Sequence, residues 1–276
     1  MKDNFAILVN STDAFEDCWE PFFKLFKTFW PDYSGTIYLN TEKKYFFYEG
    51  LNIVSIQSGL IGSSWSKCLG YAINKIKEDS FIYMQEDYFL RSNVVHRQVL
   101  DFHMAFINNK LDCLHLTDQC TKGPFIKDFF GEGIWAIQKG AKYRASTQAA
   151  FWKKESLMNI IRPWESGWDF ERFGTARSVA LFVDITCVNQ DVYKQNVNEL
   201  IPYVFTGIIK GKWNPEVVPL FKNHEIDIDF NARGFLDNQE PYWFSKIKTI
   251  ISMGYKYAKN VILEFLFARG LSKWNW

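Results

Sequence analysis

The chain has 276 residues, 47% of them hydrophobic and 18% aromatic, enough to bury a sizeable core in one large domain or one domain with an appendage. Its 32 Lys and Arg against 31 Asp and Glu leave a formal net charge of +1, so no global field draws it to nucleic acid. Five scattered cysteines without a CxxC pair argue against a disulfide framework or zinc knuckle, and no run of roughly 18 apolar residues offers a membrane span.

The opening "MKDNFAILVNSTD" lacks the apolar length and cleavage site of a signal peptide, so a reducing cytoplasm is the expected setting. Within it, "NFAILVNSTD" (residues 4–13) reads as a buried strand running into a polar loop. "AFEDCWEPFFKLFKTFW" continues with apolar residues at helical spacing. "GTIYLN" (35–40) and "LNIVSIQ" (51–57) predict further strands, "SWSKCLGYAINKIKED" a helix with Ser64 as its N-cap, and "FIYMQED" the next strand. Apolar strands alternating with helices predict an α/β fold, a mostly parallel sheet covered on both faces, which binds ligands at the carboxyl ends of its strands.

"VVHRQVLDFHMAFINNK" (94–110) predicts a helix and "LDCLHLTD" a strand; the Gly- and aromatic-rich middle carries only short regular pieces. Of these, "YRASTQAAFW" reads as a strand and "KKESLMNIIR" as a helix ended by Pro163. From about residue 237 the composition shifts. Residues 242–276 hold six Lys or Arg and one acid, Glu264, which predicts a basic amphipathic helical tail. The expected division is a main domain over 1–236, with halves at about 1–120 and 121–236, and a tail over 237–276.

Two constellations could carry chemistry. In "DSFIYMQEDYFLRS" (79–92) a strand ends in adjacent acids, Glu86 and Asp87. Carboxylates so placed repel one another unless a cation is present, and Mg²⁺ or Mn²⁺ commonly uses one or two of them with substrate phosphates. An exposed acidic turn that caps the next segment fits the same residues. In "PWESGWDFERFG" (163–174), Glu165, Asp169 and Glu171 stand among Trp164, Trp168 and Phe170. Apolar walls suit a general base, whereas a helix N-terminus with acids favouring the macrodipole accounts equally for the pattern.

Together these regions resemble nucleotide-sugar glycosyltransferases of the GT-A fold, in particular bacterial enzymes that build capsule, lipopolysaccharide or other surface glycans. "YMQEDYF" occupies the place of the family's metal-holding DXD-type motif, with Gln85 and Glu86 where aspartates are usual. "STQAAFWKKESL" followed by "WESGWDFE" is similar to its acceptor segment and base-bearing helix start. The resemblance spans roughly residues 4 to 235 and implies a GT-A-like, Rossmann-type sheet with an inverting, metal-dependent transfer from a nucleotide-diphosphate sugar. It implies Asp87 as metal ligand with Glu86 beside it, His224 as a third ligand, and Asp169, or failing that Glu171, as catalytic base. Asn10, Ser11, Thr12 and Asp13 would meet the nucleoside, and Ser64 and Lys67 a phosphate. Lys210 or Lys212 would steady the leaving diphosphate, while Trp135, Trp164 and Trp168 would stack on acceptor sugars.

The implied partners are a nucleotide-sugar donor and a glycan or lipid-linked acceptor, with no nucleic acid. The tail offers peripheral contact with the inner face of the cytoplasmic membrane through Trp274 and Trp276, or docks on the protein itself. Oligomeric state stays open. A sugar nucleotidyltransferase is the enzymatic alternative, and "NSTDAFED" lacks the Gly-rich, basic loop that it needs. A non-catalytic carbohydrate- or nucleotide-binding protein of the same fold is the other. No G-x-S-x-G, H-E-x-x-H or P-loop motif points elsewhere.

Overall fold

A computed structural model describes residues 5–131, 133–236 and 242–269. Its centre is a nine-stranded sheet made of β1 (Ala6–Asn10), β2 (Ile37–Thr41), β3 (Ile53–Gln57), β4 (Ser80–Gln85), β5 (Cys113–His115), β6 (Phe125–Ile126), β7 (Ile134–Ile137), β8 (Ala150–Lys153) and β9 (Ile185–Val188). The order across the sheet is β3-β2-β1-β4-β8-β5-β9-β7-β6. β3, β2, β1 and β4 are parallel, and β8 and β7 run against the other seven. This is a Rossmann-type α/β fold with a mostly parallel sheet.

Every residue of β1 is buried because its side chains alternate between two cores. Ile7 and Val9 pack with the layer of α1 (Glu16–Phe29) and α3 (His96–Asn108). Ala6 and Leu8 face the layer of α2 (Trp65–Lys75) and α4 (Lys154–Ile160). On α1, Trp19, Phe22, Phe23, Leu25 and Phe26 are fully buried, each contributing about 1.5–3 kcal/mol of transfer free energy. Ser64 caps α2 as expected, its Oγ accepting from the Lys67 amide at 3.1 Å.

The strand expected over 143–152 is shorter, because its first part bonds sideways instead. Arg144 donates to the Ile137 and Val183 carbonyls and to the Ser178 hydroxyl, which leaves regular pairing only to β8. β7 and β9 had no counterpart among the expected strands. Beyond β8 come a short turn of helix, α5 (Gly167–Asp169), a π-helical turn over Phe170–Gly174, and α6 (Thr175–Ala180). Gly174 is bare because a Cβ there would stand 2.8 Å from the Phe170 ring.

Near the C-terminus, β10 (Ile208–Ile209) and β11 (Lys212–Trp213) form a hairpin whose turn residues, Lys210 and Gly211, both have positive φ. It is followed by α7 (Val217–Asn223) and a long α8 (Tyr242–Ala268). α8 lies against the α5 segment. Lys256 pairs with Asp169 at 2.9 Å, Glu264 with Arg177 at 2.8 Å and with Arg162 at 3.0 Å, and Trp164 donates to Asn260 at 2.9 Å. No described helix is long and apolar enough to cross a membrane. Trp274 and Trp276 lie outside the described residues.

Candidate active site

A cleft of about 660 Å³ opens at the carboxyl edge of the sheet. Its floor is the end of β4 with Gln85, Glu86 and Asp87; one wall is Ser146, Thr147 and Gln148 before β8, and another carries Trp168 and Glu171. Phe15, Trp65, Tyr88, Tyr143 and Phe205 supply aromatic sides. Flat rings with a few convergent polar groups suit a ligand that has both apolar faces and hydroxyls.

Glu86 and Asp87 are both buried. Burial, reinforced by the neighbouring Asp87 charge, pushes the Glu86 carboxyl well above the usual range. Burial also raises Asp87, although its Oδ2 accepts from the Thr206 hydroxyl and from the Ile208 amide at 3.0 Å. Asp87 Oδ1 is buried and has no hydrogen-bond partner among the described residues. Arg233, a cation that acts on both, is committed to an ion pair with Asp17 and stacks over Phe15 at 4.6 Å. Two buried carboxylates and an orphaned oxygen in a cleft fit a divalent ion with hard oxygen preference.

Among the described residues no three His, Cys, Asp or Glu side chains are grouped to hold one ion. The expected third ligand, His224, sits just beyond α7 with its ring edge-on to Phe29, 4.9 Å away at the last residue of α1. Its ring is taken up by packing on α1 and does not line the cleft.

Glu171 lies on the π-helical turn and lines the cleft. The Thr147 amide (2.9 Å), the Thr147 hydroxyl (2.8 Å) and the Ser146 hydroxyl (3.4 Å) all donate to its Oε1. Among the described residues no hydrogen bond reaches Oε2. One oxygen is thus clamped, and the other is the one the arrangement can offer to a ligand. A π-turn is a frequent setting for such a residue.

Asp169, the residue placed first as base, does not line the cleft. Its carboxylate closes a capping box with Ser166 and bonds Lys256 of α8. Burial pushes its acidity range up, but the Ser166 and Lys256 bonds outweigh it and hold the carboxyl below the usual range. A carboxylate tied in this way is a poor proton acceptor.

The expected donor loop is largely engaged by the protein. Asn10 Oδ1 accepts from Asn40 at 2.9 Å, Ser11 accepts from the Trp19 indole at 2.7 Å, and Asp13 takes the amides of Glu42 and Lys43 at 3.0 Å each. Thr12 begins the turn that leads into α1. Ser64 and Lys67 are half-buried at the start of α2, with the Ser64 hydroxyl donating to Pro163. Lys210 lines the cleft; Lys212, on β11, does not. Of the three tryptophans, Trp168 stands on the cleft wall, 79% exposed. Trp135 is buried in the sheet under Lys127, and Trp164 packs on Phe267 of α8.

Several lining residues gave no signal in the sequence. Thr206 and Ile208 reach Asp87 from about 120 residues away, and Gly207 is needed because a Cβ there would meet the Asp87 carbonyl at 2.9 Å. Gln148 is set by the Tyr203 hydroxyl, which donates to its Oε1 at 2.8 Å, so its amide nitrogen is the group left for a ligand.

No protein-family model matches the chain, and no curated protein matches it. Among solved structures it is similar in fold to S. aureus TarS 1-349, with a TM-score of 0.42 and 10% identity over 68% of this chain and 57% of that one. A second S. aureus TarS structure gives a TM-score of 0.41 and 11% identity over 68% and 35%. CMP:2-keto-3-deoxy-manno-octonic acid synthetase complexed with CTP gives a TM-score of 0.38 and 11% identity over 80% and 98%. The chain thus spans little more than half of the first of these and about a third of the second. The sheet order is that of a Rossmann-type α/β fold, and the cleft residues carry what is proposed for its chemistry.

Proposed function

We propose that the protein is an inverting glycosyltransferase that moves a sugar from a nucleotide-diphosphate donor to a hydroxyl of a glycan or lipid-linked glycan, as in bacterial surface-polysaccharide synthesis. The observation that carries this reading is the pairing, in one aromatic-walled cleft, of two buried adjacent carboxylates with a third, Glu171, held through one oxygen only among the described residues. Glu86 and Asp87 would hold a divalent ion, which when bound offsets charge on the departing diphosphate. Lys210 adds a cation on the same side. Glu171 Oε2 takes the proton from the acceptor hydroxyl as its oxygen bonds the anomeric carbon and the bond to the diphosphate breaks. Trp168 offers a face on which an acceptor sugar stacks.

The test is titration calorimetry with UDP, GDP, CMP and TDP, with and without Mn²⁺. One nucleotide is expected to bind only with metal, and absence of binding under every condition overturns the donor reading. With that donor in hand, Glu171→Gln is expected to keep nucleotide affinity and lower transfer by about 10²–10⁴-fold. Unchanged turnover would remove Glu171 as base.

A further inference from the structure

α8 meets the rest of the protein in an unusual sense. Lys256, Asn260, Glu264 and Phe267 recur at spacings of four, four and three and face inward, onto Asp169, Trp164, Arg177 and Arg162. The opposite side is formed by Tyr255 (70% exposed), Ile262 (60%) and Phe265 (52%), with Ala258 between them and Val261 alongside, all open to water. An amphipathic helix on a soluble protein turns its apolar stripe to the core. Here charged and amide groups dock together with the Phe267 ring, and a second apolar row is left outside, which marks a surface with another apolar medium to meet.

Charge selects that medium. The one acid of α8, Glu264, points inward and is consumed by two arginines. The outward side carries Lys259 and Arg269, the latter over the Phe265 ring at 4.3 Å, and the sequence of the helix also contains Lys246 and Lys248. An apolar row flanked by cations and free of acids matches the boundary between acyl chains and anionic headgroups.

We propose that the outward face of α8, Tyr255, Ile262, Phe265, Lys259 and Arg269, lies on an anionic lipid surface. Through the Lys256–Asp169 and Glu264–Arg177 pairs it holds the segment bearing Trp168 and Glu171 on the lipid side of the molecule. The docking is independent of glycosyl transfer. If the proposed function also holds, it delivers the cleft to acceptors anchored in that surface.

The experiment is sedimentation of the full chain with vesicles of phosphatidylcholine alone or mixed with phosphatidylglycerol. Binding is expected to favour the anionic vesicles on the order of tenfold and to weaken as salt rises. Ile262→Glu and Phe265→Glu are expected to abolish it with the melting temperature unchanged. Val197→Glu, a charge at an 80%-exposed residue elsewhere, is expected to bind like the parent. Equal, negligible binding to both vesicle types overturns the proposal. So does a concentration-dependent dimer in light scattering that Ile262→Glu turns into a monomer, since a second copy would then cover the row.

Discussion

Two groups of carboxylates stand on either side of one short segment and are treated in opposite ways. At the cleft, Glu86 and Asp87 are buried together, with Asp87 Oδ1 unpartnered among the described residues and Arg233, a cation that acts on both, spent on Asp17. Beneath α8, Glu165, Asp169 and Glu264 each have a cation in contact, from Arg177, Lys256 and the Arg162–Arg177 pair. The lesson is that acid density alone does not locate chemistry. What separates the two groups is whether the fold supplies the counter-charge itself or leaves it to a ligand.

The most damaging way to break the comparison is to remove the supplied charge. Arg177→Ala removes the cation paired with the 1%-exposed Glu165, and a loss of about 3–5 kcal/mol is expected in urea unfolding. On the cleft side the counterpart is Asp87→Asn. Saturating Mn²⁺ is expected to raise the melting temperature of the parent, by the equivalent of about 2.7 kcal/mol at a hundredfold excess over Kd, and to leave the variant near its metal-free value. An equal rise in both would take the ion away from Asp87.

Acid–base titration sharpens the contrast because Glu86 and Asp169 shift in opposite directions. An unfolded Glu ionises near about 4.3, whereas folded Glu86 keeps its proton to higher pH, so the folded state holds more protons in between. In chelator, stability is therefore expected to fall as pH rises above about 4.3, and Glu86→Gln to flatten that decline. Folded Asp169 ionises below the unfolded value of about 3.9, so its contribution is present above that and lost as pH falls through the folded value. Asp169→Asn is expected to weaken the acid limb only, which urea midpoints across pH would record. The smallest effect belongs to Lys256→Ala: its pair is partly exposed, and a change under about 1 kcal/mol is expected.

The parallel half of the sheet was legible because β1, β2 and β4 are continuous apolar runs and Ser64 is a clear cap. β7 and β9 escaped notice since each is four residues long and their antiparallel contact joins residues about 50 apart. Glu86 and Asp87 could be read from position alone, at the end of an apolar strand. The choice between Asp169 and Glu171 could not, for both follow the same cap in the same helix start. It turns on Lys256, 87 residues on, and on Thr147, 24 residues back. His224 was misplaced by order along the chain, which says nothing of the distance across α1.

β4 and β8 are hydrogen-bonded neighbours, and their ladder ends at the pair Tyr83 and Ala150. Glu86 lies three residues beyond Tyr83, and Thr147, which clamps Glu171, lies three residues before Ala150 on the antiparallel strand. The two poles of the cleft are therefore gauged by the spacing of adjacent strands, about 4.8 Å, and by a register whose slip of one residue would turn every side chain over. The separation of the acid pair from the clamp on Glu171 is thus tied to a ladder of backbone amides.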